Sequence, residues 1–259
     1  YNRARGRSMD EFVKDELQLL QDSTLNLVDV NNLAAVIVEP IQGEGGFNPI
    51  PKDYLIGLRK FCDDNNIVLI LDEIQSGFCR TGNWASWQTY GVVPDISTYA
   101  KSLGSGLPIA AVVGKVEIMD AAKPGTIGGT YIGSPISCVA ALATIQYMKD
   151  INLNDKAVTI GYEIMARLNA LKAECPAIGD VRGVGAMIGI EFVMDCNPTQ
   201  PNSEICKPIV EACYENGLIV LSAGTHKNII RILSPLVITP EQLDQGLTIL
   251  ETQIRRLTN

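Results

Sequence analysis

Histidine is nearly absent from this sequence: His226 is the only one among 259 residues, and none of the seven cysteines stands in a CxxC pair. A zinc site needs three or four closely spaced ligands. Cys62, Cys79, Cys138, Cys175, Cys196, Cys206 and Cys213 therefore read as free thiols, and no metal is expected. Free thiols suit a reducing compartment, so the expected location is the cytoplasm, with the mitochondrial matrix as the alternative. Long apolar runs are missing as well. The longest, 33–38 and 67–71, fall far short of the ~20 residues that cross a bilayer, and no membrane partner is expected. Residues 1–7 are polar and basic, without the apolar centre of a signal peptide. No Lys/Arg cluster exceeds a pair, and 29 acidic against 21 basic residues give a formal charge of -8, so nucleic acid is not an expected partner.

What is present is ordinary globular material, 46% apolar and 19% charged. The run 33–38 reads as a short strand ending at Glu39-Pro40, where proline discourages the ladder from continuing. Leu55, Leu58, Phe61 and Cys62 recur at helical spacing, and 67–71 reads as a strand buried on both faces, as in parallel sheets. Further strands are expected at 95–99 and 109–113. Ser134-Pro135 opens a helix carrying Ile136, Val139, Leu142, Ala143 and Met148 on one face. Beyond about residue 150, Ile160, Ile164, Leu168 and Leu171 mark a helix, and 180–193 supplies two strand segments. A helix at 205–216 and strands at 218–221 and 229–233 follow. Thr239-Pro240-Glu241-Gln242 is a capping box for a last helix with Leu243, Leu247, Leu250, Ile254 and Leu257 inward. The expected fold class is α/β, with a mostly parallel large-domain sheet in 1–150 and a smaller α+β domain in 151–259.

Three features carry chemistry. Asp72 follows an apolar strand, the place where open parallel sheets bind ligands; an Asp-Glu pair there also fits a Walker B acid or a plain strand exit. Lys101, in AKSLGSG, sits on a tight glycine loop at the same sheet edge. A lysine partly desolvated beside other charges can condense with an aldehyde, although a solvated loop lysine has the same sequence signature. Gly128-Gly129-Thr130 offers backbone N–H groups and a hydroxyl suited to a phosphate, or is simply a turn into the next helix.

Taken together, EPIQGEGG (39–46), LDEIQSGFCRTG (71–82), GVVPDISTYAKSLGSGLPIAAVVGK (91–115) and GGTYIGSP (128–135) resemble the class III aminotransferases. The resemblance is strongest to 4-aminobutyrate aminotransferases of the bacterial type and continues through IGDVRGVGAMIGIE (178–191) and IIRILSPLVIT (229–239). It implies the type I fold of pyridoxal 5'-phosphate enzymes, with Lys101 holding the cofactor as a Schiff base and moving the proton. It also implies Asp72 at the pyridine nitrogen, Gln75 at the 3-oxygen, and Thr130 at the phosphate of a neighbouring subunit, hence a homodimer. Glu44 and Arg231 would form the specificity pair. Arg231 receives the α-carboxylate of glutamate or 2-oxoglutarate, and Glu44 neutralises it when an ω-amino acid such as 4-aminobutyrate binds; the glycines around Glu44 suggest a mobile loop.

The family's phosphate loop, ring-stacking aromatic and further substrate arginine are not recognisable before Leu33, so the chain is expected to be part of a longer enzyme. Ornithine, acetylornithine, diamine, diaminobutyrate and other ω-amino acid transaminases are alternatives. A P-loop NTPase is a remote one, with no GxxxxGK[ST] in its favour. A catalytically dead scaffold would have lost Lys101 or Asp72, and both are present.

Overall fold

Two sheets organise the chain in the computed structural model, which describes residues 6–258; residues 1–5 of the leading polar stretch and residue 259 lie outside the described residues. Helix α1 (Met9–Leu27), not expected from the sequence, begins with a capping box. Ser8 Oγ accepts from Glu11 N at 3.3 Å, and Glu11 Oε2 accepts from Ser8 N at 2.9 Å. Strand β1 (Ala35–Val38) leads into a small hairpin of β2 (Ile41–Gln42) and β3 (Asn48–Pro49). Then come α2 (Lys52–Asp64), β4 (Val68–Asp72), α3 (Trp87–Tyr90), β5 (Ile96–Tyr99), β6 (Ala111–Gly114) and α4 (Val116–Met119). The first sheet runs β1-β4-β5-β6, parallel except for β6, which pairs antiparallel with β5.

One face of this sheet is covered by α2. Leu55, Leu58, Phe61 and Cys62 pack with Leu69, Leu71, Tyr90 and Val92, and each buried Leu or Phe contributes roughly 1.5–3 kcal/mol. The expectation that β4 is buried on both faces does not hold. Leu69 and Leu71 are fully buried, whereas Val68 and Ile70 are only half-buried, because the helices of this chain cover one side. The stripe expected on α5 (Pro135–Asp150) is also corrected: Met148 is buried, but Ile136, Val139, Leu142 and Ala143 are exposed, with Ser137 and Ala141 buried in their place. That helix is apolar around most of its circumference, so periodicity alone cannot say which face packs.

The second sheet is antiparallel. After α6 (Leu153–Glu174) come β7 (Ile178–Val184), β8 (Met187–Met194), β9 (Asn197–Pro201), α7 (Ser203–Glu215), β10 (Leu221–Ala223), β11 (Ile229–Ile232) and α8 (Pro240–Thr258). Its order is β10-β11-β8-β7, with β9 on β8. Ile160, Ile164, Leu168 and Leu171 of α6 and Leu243, Leu247, Leu250 and Ile254 of α8 share one core with Ile188, Ile190 and Phe192. The expected box opens α8: Thr239 Oγ1 accepts from Gln242 N at 3.3 Å, and Gln242 Oε1 accepts from Thr239 N at 3.1 Å. The strand expected at 218–221 lies later, because Leu218 N still bonds Cys213 O at 2.9 Å and closes α7. All seven cysteines are free thiols, and burial pushes Cys206 up to about 12 and Cys79 and Cys213 to about 11. Among the described residues no helix is long and apolar enough to cross a membrane, and no cluster of His, Cys, Asp and Glu could hold a metal ion.

Candidate active site

At the carboxyl edge of the first sheet the chain reverses around one buried carboxylate. Asp72 ends β4 opposite Thr98 of β5, and its Oδ1 accepts from Ile74 N at 2.9 Å, which starts the reversal. Glu73, 1% exposed, accepts four hydrogen bonds. Ser76 Oγ (2.7 Å) and Ser86 N (2.9 Å) donate to Oε2, and Ser86 Oγ (2.8 Å) and Trp87 N (2.9 Å) donate to Oε1. In the sequence Glu73 is only the second half of an acid pair; its burial beside two serines is what a single strand pattern cannot reveal. Arg80 fastens this loop to the second sheet, donating to Ser234 O at 2.7 Å and Ala186 O at 3.3 Å, and burial lowers its guanidinium to about 10.

The wound loop aims Gln75 at Gly43, where an added Cβ would lie 2.2 Å from Gln75 Oε1 and would push the amide from its place. Gln75 Oε1 and Thr98 Oγ1 are buried with no hydrogen-bond partner in the protein. Lys101 opens the turn after β5 at φ +41°, a left-handed conformation rare for lysine and held here by the turn Lys101–Leu103. Its side chain faces a cavity of about 870 Å³ shared with Leu107, Pro108, Thr130, Tyr131 and Ser134. Lys101 and Thr130, 29 positions apart, therefore meet at one opening.

Glu44 and Arg231 also meet, 187 positions apart: Arg231 Nη1 donates to Glu44 Oε1 at 2.6 Å. Arg231 is 10% exposed and its guanidinium lies 5.6 Å from the Phe47 ring, while Glu44 is 80% exposed. The Arg231 hydrogen bond, chiefly, holds the Glu44 carboxyl below its ordinary range; Lys101 and Gln75 act in the same direction, so all four side chains share one electrostatic neighbourhood. The loop around Glu44 is not the free segment its glycines suggest. Gly43 N donates to Glu39 Oε2 (2.7 Å), Gly46 N to Gly43 O (3.1 Å), Asn48 Nδ2 to Gly45 O (2.8 Å) and Gly224 N to Glu44 O (3.0 Å). Its freedom lies in the Glu44 side chain.

The profile of the family Aminotransferase class-III matches residues 5–254. The 5-aminovalerate aminotransferase DavT of Pseudomonas putida is 44% identical over 239 residues, which are 92% of this chain and 56% of that protein. The 4-aminobutyrate aminotransferase GabT of Escherichia coli is 45% identical over 219 residues, 85% of this chain and 51% of that protein. The chain thus spans about half the length of these relatives. Among solved structures, an amine transaminase from an uncultivated Pseudomonas species, described as PLP-bound, superposes with a TM-score of 0.91 at 30% identity, covering 99% of this chain and 60% of that one. The ornithine aminotransferase of Toxoplasma gondii superposes at 0.83 and 34% identity, covering 93% and 55%.

Proposed function

The chain belongs to the class III aminotransferases, a pyridoxal-phosphate-dependent family, and we propose that it is part of an enzyme moving the amino group of an ω-amino acid to a 2-oxo acid. The donor we favour is 4-aminobutyrate and the acceptor 2-oxoglutarate. The observation that carries this reading is the 2.6 Å Glu44–Arg231 pair within electrostatic reach of Lys101. The 5-aminovalerate aminotransferases among the relatives favour a second donor of the same class, one methylene longer. Family membership displaces the NTPase alternative.

The residues fit pyridoxal phosphate. Two buried oxygens have no partner in the protein, Oγ1 of Thr98, opposite Asp72 in the sheet, and Oε1 of Gln75, three residues beyond Asp72, and a polar ligand would satisfy them. Lys101 would hold the cofactor covalently, Asp72 its ring nitrogen, Gln75 its 3-oxygen and Thr130 its phosphate. When bound, the cofactor supplies an electron sink for the pair left behind as a proton leaves the substrate. Asp72 would keep the ring nitrogen protonated, from a loop that the four Glu73 bonds hold in place. The Lys101 Nζ would hold and move the proton. Arg231 presents its fork to an α-carboxylate, and the Glu44 side chain turns aside to admit it. For a donor without that carboxylate, Glu44 stays and neutralises Arg231. We assign Thr130 to the phosphate site of a second subunit in a homodimer, supported by the exposure of Ile127 (73%), Tyr131 (87%) and Ile132 (68%) in its loop. The division into a cofactor domain, 1–150, and a small domain, 151–259, is supported by the core of the first sheet, which draws only on the first half of the chain, although Cys79 and Met148 join the core of the second sheet; cytoplasmic location is part of the same proposal.

The test is to measure both half-reactions in the intact enzyme. Glu44→Gln should impair the ω-amino donor and Arg231→Ala the 2-oxo acid. Because Glu44 is largely exposed and screened, the loss should be about 1–2 kcal/mol, roughly five- to thirtyfold, rather than the full value of a buried pair. Equal losses on both sides in each variant would make the pair structural.

A further inference from the structure

Arg182 of β7, Gly189 of β8 and Arg231 of β11 stand in register across three strands, so they share one face of the second sheet. The glycine leaves a step between two arginines, and the Glu44 segment rests in it: a Cβ on Gly189 would lie 3.0 Å from Gly46 O and 3.5 Å from Phe47 Cβ. Arg231 grips this segment by the Glu44 carboxylate. Arg182 grips it by the backbone, its Nη2 donating to Gly46 O at 3.0 Å.

The two arginines differ in how they are balanced. Arg182 is 11% exposed, and its Nη1 is held by Asp180 Oδ2 at 3.1 Å and Glu191 Oε2 at 2.5 Å. Glu191 is in turn reached at 3.5 Å by Asn228, which is 2% exposed. Two carboxylates and a carbonyl already hold the terminal nitrogens of Arg182, so a substrate carboxylate would have to displace an existing partner to gain the two-pronged grip. Arg231 has a single carboxylate partner, itself exposed, and can exchange it.

We propose that Arg182 is a specificity-determining positioning residue: it latches Gly46 O on the Gly189 step, so that Glu44 turns over Arg231 from a fixed backbone. The inference rests on the reading of Glu44 and Arg231 as the donor–acceptor switch. Without the latch the carboxylate spends less time over Arg231, which weakens the ω-amino donor while sparing the α-carboxylate substrate that needs Glu44 displaced.

The test uses the intact holoenzyme with Arg182→Gln and, independently, Gly189→Ala, which removes no charge but presses a methyl against Gly46 O. Arg182→Gln should lower kcat/KM for 4-aminobutyrate about ten- to a hundredfold, the range for a lost charge-assisted hydrogen bond, and leave glutamate within about threefold. Gly189→Ala should shift the ratio in the same direction by less. In both variants, with or without cofactor, backbone amides of residues 43–48 should exchange hydrogen faster. Should Arg182→Gln not fold, Gly189→Ala decides alone. Equal losses for both substrates, or unchanged exchange at 43–48, overturn the proposal. Glu44→Gln run alongside separates the failures. If it does not split the two half-reactions, the switch reading falls and this inference with it; if it does and the other two variants do not, only the positioning role is refuted.

Discussion

Replacing Glu73 by glutamine changes one atom, and its cost can be worked out from the four bonds the carboxylate accepts. Each oxygen receives one hydroxyl and one backbone N–H: Ser76 Oγ and Ser86 N on Oε2, Ser86 Oγ and Trp87 N on Oε1. A hydroxyl can rotate and accept instead, but a backbone N–H cannot. Whichever oxygen becomes the amide nitrogen, one buried backbone donor then faces another donor. Losing a bond to a charged acceptor while leaving that N–H unsatisfied costs about 2–4 kcal/mol. Glu73→Ala orphans both N–H groups and opens a cavity, for about 3–5 kcal/mol or more. Ser76→Ala removes a single hydroxyl donor and should cost only about 1 kcal/mol. The assay is urea denaturation of the intact enzyme read through Trp84 and Trp87, the two tryptophans of this chain, one in the loop that Glu73 holds and one opening α3 just after it. The order of loss should be alanine, then glutamine, then Ser76→Ala. Cofactor retention should fall in parallel, since Asp72 and Gln75 bracket Glu73. A Glu73→Gln variant within about 0.5 kcal/mol of the parent refutes the reasoning.

Other outcomes follow from the same structure. Borohydride reduction of the holoenzyme followed by peptide mapping should place the pyridoxyl group on Lys101; a label on Lys115 or Lys123 would remove the assignment. For the Asp95 carboxyl, burial pulls upward, but the bonds from Lys115 (2.7 Å), Leu69 N (2.7 Å) and Arg59 (2.8 Å) outweigh it and hold the group at about 2 against an ordinary 3.8. A depressed acid stabilises the fold above its unfolded value, so about 2 kcal/mol should be present above pH ~4 and lost as pH falls toward ~2. This is an upper figure because Lys115 is half exposed. Asp95→Asn should flatten that acid limb in unfolding curves taken against pH, and an unchanged limb would count against it. Gly161→Ala sets a methyl 2.0 Å from Gly185 O, where only backbone can move, and should cost about 2–4 kcal/mol in thermal or urea unfolding; a neutral substitution would mean that α6 can lift off the β7–β8 turn.

What could be read from the sequence was local. Thr239 and Gln242 announce α8 because a capping box is four residues long, and the stripe from Leu243 to Ile254 agrees with it. Ser8 and Glu11 carry the same signature for α1, but Val13 is the one apolar side chain of that helix known to be fully buried, so no stripe drew attention to it. Lys101 and Asp72 were legible because each follows a strand, and both stand at the carboxyl edge of the β4–β5 pair. Arg182 was not legible. Its significance depends on the register of β7 against β8 and of β8 against β11, and a strand pattern gives the faces without giving the partner. The α5 error has the same origin: a helix apolar on several sides needs its neighbours to be known before its buried face is.

The charged groups of the site and of the sheet that carries it divide by how many partners each one has, and in the proposed switch that division separates scaffold from moving part. Glu73 accepts four hydrogen bonds, Asp95 bonds two cations and a backbone amide, and Arg182 bonds two carboxylates and a carbonyl. For such a group, giving up one partner leaves the others in place, so a ligand cannot outcompete the whole set and the group stays where it is. Arg231 has one carboxylate, and the other side of its guanidinium lies over an aromatic ring. Exchanging Glu44 for a substrate carboxylate replaces one bond with an equivalent one and exposes no unpaired cation at the end points. A switch that costs little must be singly partnered, and it must be carried on a backbone that is multiply held. Around Gly43–Phe47 the chain meets both conditions of the proposed switch within a few residues: the carbonyls of 43–46 each accept a hydrogen bond, and the Glu44 side chain, bonded to Arg231 and to no other cation among the described residues, is 80% exposed.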